Sequence, residues 1–184
     1  MIRIIDFLAA FFGLLFLWPI LLVVVIFGIF DTGSPIFVQI RIGKNQKPFK
    51  LIKFRTMSVE TKSVASHLAS NASITKLGNF LRKTKIDELP QLINVVKGEM
   101  SLVGPRPNLF NQEELIKERD ALGVYNVLPG VTGLAQVQNI DMSTPKVLAE
   151  TDKQMIDTLT LKNYFKYIIM TITGSGSGDA VKPK

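Results

Sequence analysis

From Phe7 to Phe30 the chain carries no charged side chain, and the run reads FLAAFFGLLFLWPILLVVVIFGIF. A membrane-spanning helix needs roughly 20 apolar residues, so this stretch is long enough to enter a bilayer. The apolar region of a cleaved signal is shorter, about 7–15 residues, and ends in a small-residue site. Asp31-Thr32-Gly33-Ser34-Pro35 does not resemble such a site, so the pattern predicts a retained membrane segment. Trp18-Pro19 interrupts it. Proline removes a helical hydrogen bond and crowds the preceding turn. A straight helix over Phe7 to Phe30 would be about 36 Å long and could cross with a kink at Pro19. It could also enter and leave by the same face, with Pro19 at the bend. The residues alone leave both open.

Beyond the run, PIFVQIRIG and FKLIKFRTM alternate in part and are rich in β-branched and aromatic residues, with the turn-like KNQKP between them. This predicts a β-hairpin over about 36–55. Residues 57–74 are polar and read as a loop or mobile lid. A helix is expected near 75–83. The next starts around Asp87 or Glu88, with Leu89, Leu92, Ile93 and Val96 at helical spacing and Gly98 as its stop. Gly104-Pro105-Arg106-Pro107 is a rigid turn, and Pro129-Gly130 and Thr132-Gly133 mark others. Helices are expected over about 112–122, from Pro145 with Ser143 or Thr144 as cap, and over 159–172, the last of which packs on the core or lies on a membrane surface. The fold class is α+β, mainly α. The expected division is a membrane segment over 1–32, a body over 33–173 and a flexible tail over 174–184.

Charge refines this picture. The net charge is +7, and Arg41, Lys44, Lys47, Lys50, Lys53 and Arg55 follow closely on the apolar run. Basic residues beside a membrane segment are drawn to anionic membrane lipids and mark the cytoplasmic side. No nucleic-acid motif accompanies the charge, so nucleic acid is not an expected partner. With no cysteine and His67 as the only histidine, thiolate and histidine-based metal sites are excluded.

The remaining chemistry concentrates in LRKTKIDELPQLINVVKGEMSLVGPRP, residues 81–107. Asp87 and Glu88 stand among Arg82, Lys83, Lys85 and Arg106. Pro90 fits the first turn of a helix, which puts Asp87 at or near its N-cap and Glu88 in the first turn. The partial positive charge there favours an ionised carboxylate and attracts phosphate. Such a carboxylate can attack a phosphoryl centre, and its neighbour can hold Mg²⁺. Equally, both can serve only helix stability, as cap and first-turn anion. Taken singly, none of these residues separates the two readings.

Their combination resembles the bacterial sugar transferases known as monotopic phosphoglycosyl transferases. The resemblance runs over nearly the whole chain: the apolar segment broken at Pro19, Lys53-Phe54-Arg55-Thr56-Met57, the 81–107 block, and LPGVTGLAQV. It implies a membrane-embedded enzyme that moves a sugar 1-phosphate from a UDP-sugar to polyprenyl phosphate and releases UMP. Asp87 would be the nucleophile, forming a covalent phosphosugar intermediate. Glu88 would bind Mg²⁺, and Arg106 phosphate. Arg82, Lys53 and Arg55 match positions near the active site. It also implies a re-entrant helix-break-helix with its bend at Pro19, several amphipathic helices around one active site, and a place on the cytoplasmic face of a bacterial inner membrane; a homodimer is compatible with it. Trp18 stands where the family often has Ser. Of the family's C-terminal residues only Asp152 is matched, with Met155 and Asn163 at the other places. A non-catalytic membrane scaffold for glycan-assembly enzymes is the alternative.

Overall fold

The computed structural model describes residues 1–60, 73–174 and 176. Most of the expected 57–74 lid, His67 and most of the tail lie outside these; at the described ends of the lid, Met57 and Ile74 form an isolated antiparallel bridge. Among the described residues the protein is mostly helical, with two small two-stranded sheets.

Helix α1 (Ile2–Thr32) contains the whole apolar run and passes Pro19 as one continuous helix. The expected helix-break-helix is therefore not seen as an interruption of secondary structure. A single proline costs the helix one donor, and 31 residues supply ample flanking turns to carry it. Gly33, at φ 71°, closes the helix with its N–H bonded to the Ile29 carbonyl. Most of the surface of α1 is apolar and uncovered: Phe16 is 74% and Phe27 60% exposed. Exposure on this scale is unusual for a surface facing water. By length and composition, α1 can anchor in a membrane.

The few buried residues of α1 show how it docks. Ala10 packs with Phe49, Leu51, Val95 and Met100. Val24 packs with Phe54 and Leu81. Two charged residues fasten its first turns. Arg3 donates to the carbonyls of Val95 (2.6 Å) and Met100 (3.2 Å). The buried Asp6 carboxylate accepts from Ser101 Oγ (3.0 Å), the Leu102 N–H (2.8 Å) and Tyr164 OH (2.6 Å). Burial and the Asp6 carboxylate both push the Tyr164 phenol up, so it remains a donor. Both halves of α1 thus rest on the same body.

The hairpin forms as expected, β1 (Ile36–Ile42) antiparallel to β2 (Pro48–Phe54), with Phe37 opposite Lys53 and Gln39 opposite Leu51. Its buried face meets α3 (Gln91–Lys97), where the fully buried Asn94 substitutes for a strand neighbour: its Nδ2 donates to the Lys50 carbonyl (2.7 Å) and its Oδ1 accepts from the Ile52 N–H (3.1 Å). The second sheet, β3 (Ser101–Val103) parallel to β4 (Gly130–Thr132), corrects the expectation of plain turns at Pro129-Gly130 and Thr132-Gly133. Three-residue strands are too short to show alternation.

Around these sheets stand α2 (Lys76–Thr84), α4 (Glu113–Ala121), the single turn α5 (Leu134–Val137), α6 (Pro145–Asp157) and α7 (Leu161–Ile172). Thr75 caps α2 through the Gly78 N–H, and Thr160 caps α7 through the Asn163 N–H. Thr144 occupies the cap position of α6 without a side-chain cap bond, while Ser143 turns to Asp141. Helix α7 does two jobs: Tyr164 and Tyr167 are buried in the core with Val103 and Met155, while Phe165, Ile169 and Ile172 form an exposed apolar stripe.

Candidate active site

The 81–107 block folds into a knot of short elements. α2 stops because Lys85 takes a left-handed conformation (φ 58°), and Ile86–Glu88 then form a 3₁₀ turn. Pro90, which has no N–H to give, follows the turn and stands at the N-cap of α3. This corrects the sequence reading: Asp87 is not the cap of α3, and Glu88 is not in its first turn. Both stand one turn earlier, with the Glu88 N–H bonded to the Lys85 carbonyl (3.2 Å). Leu81, Phe54 and Val24, with Ile86 packed against them, fix the turn from beneath. Asp87 is 2% and Glu88 8% exposed, so both carboxylates are largely shielded from bulk water.

Arg106 reaches this turn from the Gly-Pro-Arg-Pro segment, its Nη2 2.8 Å from Glu88 Oε1. The segment is held from behind. Gly104 donates to the Thr132 carbonyl (2.8 Å) and Gly130 to that of Pro105 (2.9 Å). The approach requires glycine, because a Cβ on Gly130 would lie 2.0 Å from the Gly104 nitrogen. Two buried arginines take the next carbonyls: Arg119 Nη1 donates to Arg106 O (2.8 Å) and Arg41 Nη1 to Pro107 O (3.1 Å). Arg119 is itself set by Asp152, with Nη2 and Nε 2.6 and 3.0 Å from Oδ2, both side chains 1% exposed. Burial pushes the Asp152 carboxyl up and the guanidinium pulls it back. Arg119 also donates to Asn108 Oδ1 (3.0 Å), which accepts from Tyr125 OH (3.1 Å).

The other expected site residues are placed as follows. Arg82, on α2, donates through Nε to Thr56 Oγ1 (2.9 Å), where α2 lies so close that Gly78 has no room for a Cβ. Lys53 and Arg55 converge on Phe37, with Lys53 Nζ 5.7 Å and the Arg55 guanidinium 5.3 Å from the ring centre. Arg55 is further tied to the Ser34 carbonyl (2.8 Å), at the exit of α1. Glu88 and Arg106 are thus in direct contact, whereas Lys53 and Arg55 are gathered about another residue. Lys85 was not singled out as a site residue: burial lowers its pKa while Glu88 opposes the fall. Arg119 and Arg41 were not recognised as supports of the turn. The signal for Arg119 was its place one helical turn after the buried Leu115, where an apolar residue is expected.

The described residues contain no cluster of three or more His, Asp or Glu side chains. What the 3₁₀ turn offers a metal is one or two carboxylates. That suits Mg²⁺, which commonly takes one or two and completes its shell with phosphate oxygens and water.

Residues 1–176 match the model of the bacterial sugar transferase family. The chain belongs to this family. It is 39% identical over 171 residues to EpsL of Bacillus subtilis (strain 168), described as an uncharacterized sugar transferase, covering 92% of this chain and 84% of that protein. It is 34% identical over 188 residues to a UDP-galactose-lipid carrier transferase of Erwinia amylovora, covering 92% of this chain and 39% of that protein. It is 43% identical over 111 residues to a UDP-glucose:undecaprenyl-phosphate glucose-1-phosphate transferase of Escherichia coli (strain K12), covering 58% of this chain but 24% of that protein. The chain therefore spans well under half the length of the latter two relatives.

Proposed function

We propose that the protein is a phosphoglycosyl transferase that moves a sugar 1-phosphate from a UDP-sugar to a polyprenyl phosphate, the first membrane step in assembling a bacterial glycoconjugate. The observation that carries the reading is the shielded Asp87–Glu88 turn, with Arg106 on Glu88, set on top of the docked apolar helix α1 in a member of the sugar transferase family.

In this reading an Asp87 carboxylate oxygen attacks the phosphorus that bears the sugar. The bond to the bridging oxygen breaks, UMP leaves, and a phosphosugar stays on Asp87 as an acyl phosphate. An oxygen of the lipid phosphate then attacks the same phosphorus and releases Asp87. Arg106 meets a phosphate oxygen, and its backbone anchors keep it in place as charge develops. Glu88, whose Oε1 is engaged by Arg106, would hold Mg²⁺ through its second oxygen; the ion would supply charge neutralisation to the diphosphate. Arg82, Lys53 and Arg55 supply positive potential around the donor.

The membrane placement rests on α1. At 1.5 Å per residue a straight helix of its length is about 46 Å long, against a hydrocarbon core of about 30 Å. Crossing the core would carry one end away from a body on the other side. Here Arg3 is bonded to α3 and Val24 to Leu81 is a packed contact, so both halves lie against one body. This favours a monotopic α1 held at one face of the membrane, with the stripe Phe165, Ile169 and Ile172 meeting the same surface; the basic residues that follow the apolar run, from Arg41 to Arg55, assign that face to the cytoplasm in this reading.

Purified protein in detergent, given a panel of UDP-sugars and undecaprenyl phosphate, releases UMP with one of them, and Asp87→Asn abolishes release with all. Near-normal turnover by Asp87→Asn would remove the covalent mechanism, and full activity in excess chelator would remove the metal.

A further inference from the structure

A cleft of about 290 Å³ opens directly beside the carboxylate turn. It is lined by Leu89 and Leu92, by Leu102 and Val131 of the β3–β4 sheet, and by Ile168 and Ile172 of α7. Its polar lining is Lys85, Glu88 and the threonines 84, 132 and 171, the hydroxyls of the last two hydrogen-bonded to each other. Lys85 is held there, its Nζ donating to the Thr171 carbonyl (3.2 Å). The cleft also lies at the level of α1, since Leu92 stands within 3.2 Å of where a Cβ on Gly13 would be, and Ile172 at its rim is 78% exposed.

Such a lining, chiefly apolar with a lysine beside Glu88, does not suit a nucleotide sugar, which is polar throughout. We infer that this cleft is the acceptor site, in which Lys85 meets the phosphate of a polyprenyl phosphate and the first isoprene units lie between α3 and α7. The inference rests on the transferase reading. Three observations point to this occupant. The cation complements a phosphate monoester. The apolar walls complement the chain. The shared Glu88 puts the head group beside Asp87, so that a lipid phosphate oxygen can form its bond to phosphorus as the Asp87 oxygen bond breaks. The volume is at the lower end of ligand pockets, roughly 300–1,000 Å³, which suits the head of a long lipid whose remainder stays in the bilayer.

Two measurements test the site separately from the mechanism. A prenyl phosphate carrying a benzophenone near its head is photo-cross-linked to the full-length protein in detergent, with undecaprenyl phosphate as competitor. Label is expected on the 168–172 segment of α7 or on Leu89–Leu92, and is competed away. In parallel, UMP released with UDP-sugar alone is compared with transfer to undecaprenyl phosphate. Ile172→Glu, at an exposed rim position, is expected to raise the acceptor KM at least tenfold while a stoichiometric UMP release without acceptor persists. Lys85→Gln is expected to raise the same KM, with partial rescue by Lys85→Arg. Val147→Glu, exposed on α6, changes neither. Competed label in the cleft without any UMP release would sink the transferase reading but keep the lipid site. UMP release and transfer with label elsewhere, or with an unchanged acceptor KM in both cleft variants, would overturn the lipid site alone.

Discussion

The pair Arg119–Asp152 is buried yet is joined to the Gly-Pro-Arg-Pro turn by one hydrogen bond, to the carbonyl of Arg106. Asp152→Ala leaves the guanidinium of Arg119 buried without its counter-ion, whereas its bonds to Arg106 O and Asn108 Oδ1 survive. Breaking one partner of a buried pair costs about 3–5 kcal/mol. For a domain of this size 1 kcal/mol lowers Tm by about 2–4 °C, so the expected fall is roughly 6–20 °C. Arg119→Met should cost at least as much, because it strands the Asp152 carboxylate and removes the donor to the two oxygens. The double variant Arg119→Met with Asp152→Leu should be less damaged than the two singles summed, since no charge is left buried. Its activity should still be low: the Arg106 carbonyl has lost its anchor, and a displacement near 1 Å can cost about 10²-fold in rate. Thermal unfolding in detergent, with UMP release at a temperature where every variant is folded, reads both. A Tm shift under about 2 °C for Asp152→Ala would refute the estimate, since that is the effect of under roughly 1 kcal/mol. Wild-type turnover in the double variant would refute the positioning role.

Other outcomes follow from the same geometry. Asp6→Ala orphans three donors at the junction of α1, β3 and α7; at about 1–3 kcal/mol for each stranded donor, Tm should fall by at least about 6 °C, with protease cutting first near α1. Asn94→Leu, nearly isosteric, strips the hairpin of two backbone partners and should cost about 2–3 kcal/mol in denaturant unfolding. Gly130→Ala forces the Gly104 backbone aside, and a loss of UMP release out of proportion to its stability loss, about 1–3 kcal/mol for overpacking, is expected in a side-by-side assay.

The hairpin, the helix ends at Thr75 and Gly98, and the apolar helix were legible because each rests on local chemistry: alternation, a capping hydroxyl, a glycine, a long uncharged run. Asp87 and Glu88 stood out as neighbouring carboxylates but were misplaced by a turn, because the left-handed Lys85 that ends α2 has no signature in a side chain that usually avoids it. The β3–β4 pairing was hidden because its partners are 29 residues apart and three long. Arg3 and Asp6 stand just before the uncharged run, and nothing in their neighbours marks them. Only the fold reveals that they bolt the helix to α3, β3 and α7, since those contacts join residues more than 90 positions apart.

In the proposed mechanism the carboxylate of Asp87 carries the phosphosugar. Intact-mass and peptide mass spectrometry of the protein mixed with an active UDP-sugar, with no lipid acceptor present, addresses this directly. One sugar phosphate added to the peptide containing Asp87, absent in Asp87→Asn and discharged on adding undecaprenyl phosphate, is the predicted result. An unmodified chain under conditions where the complete mixture makes lipid product would contradict it.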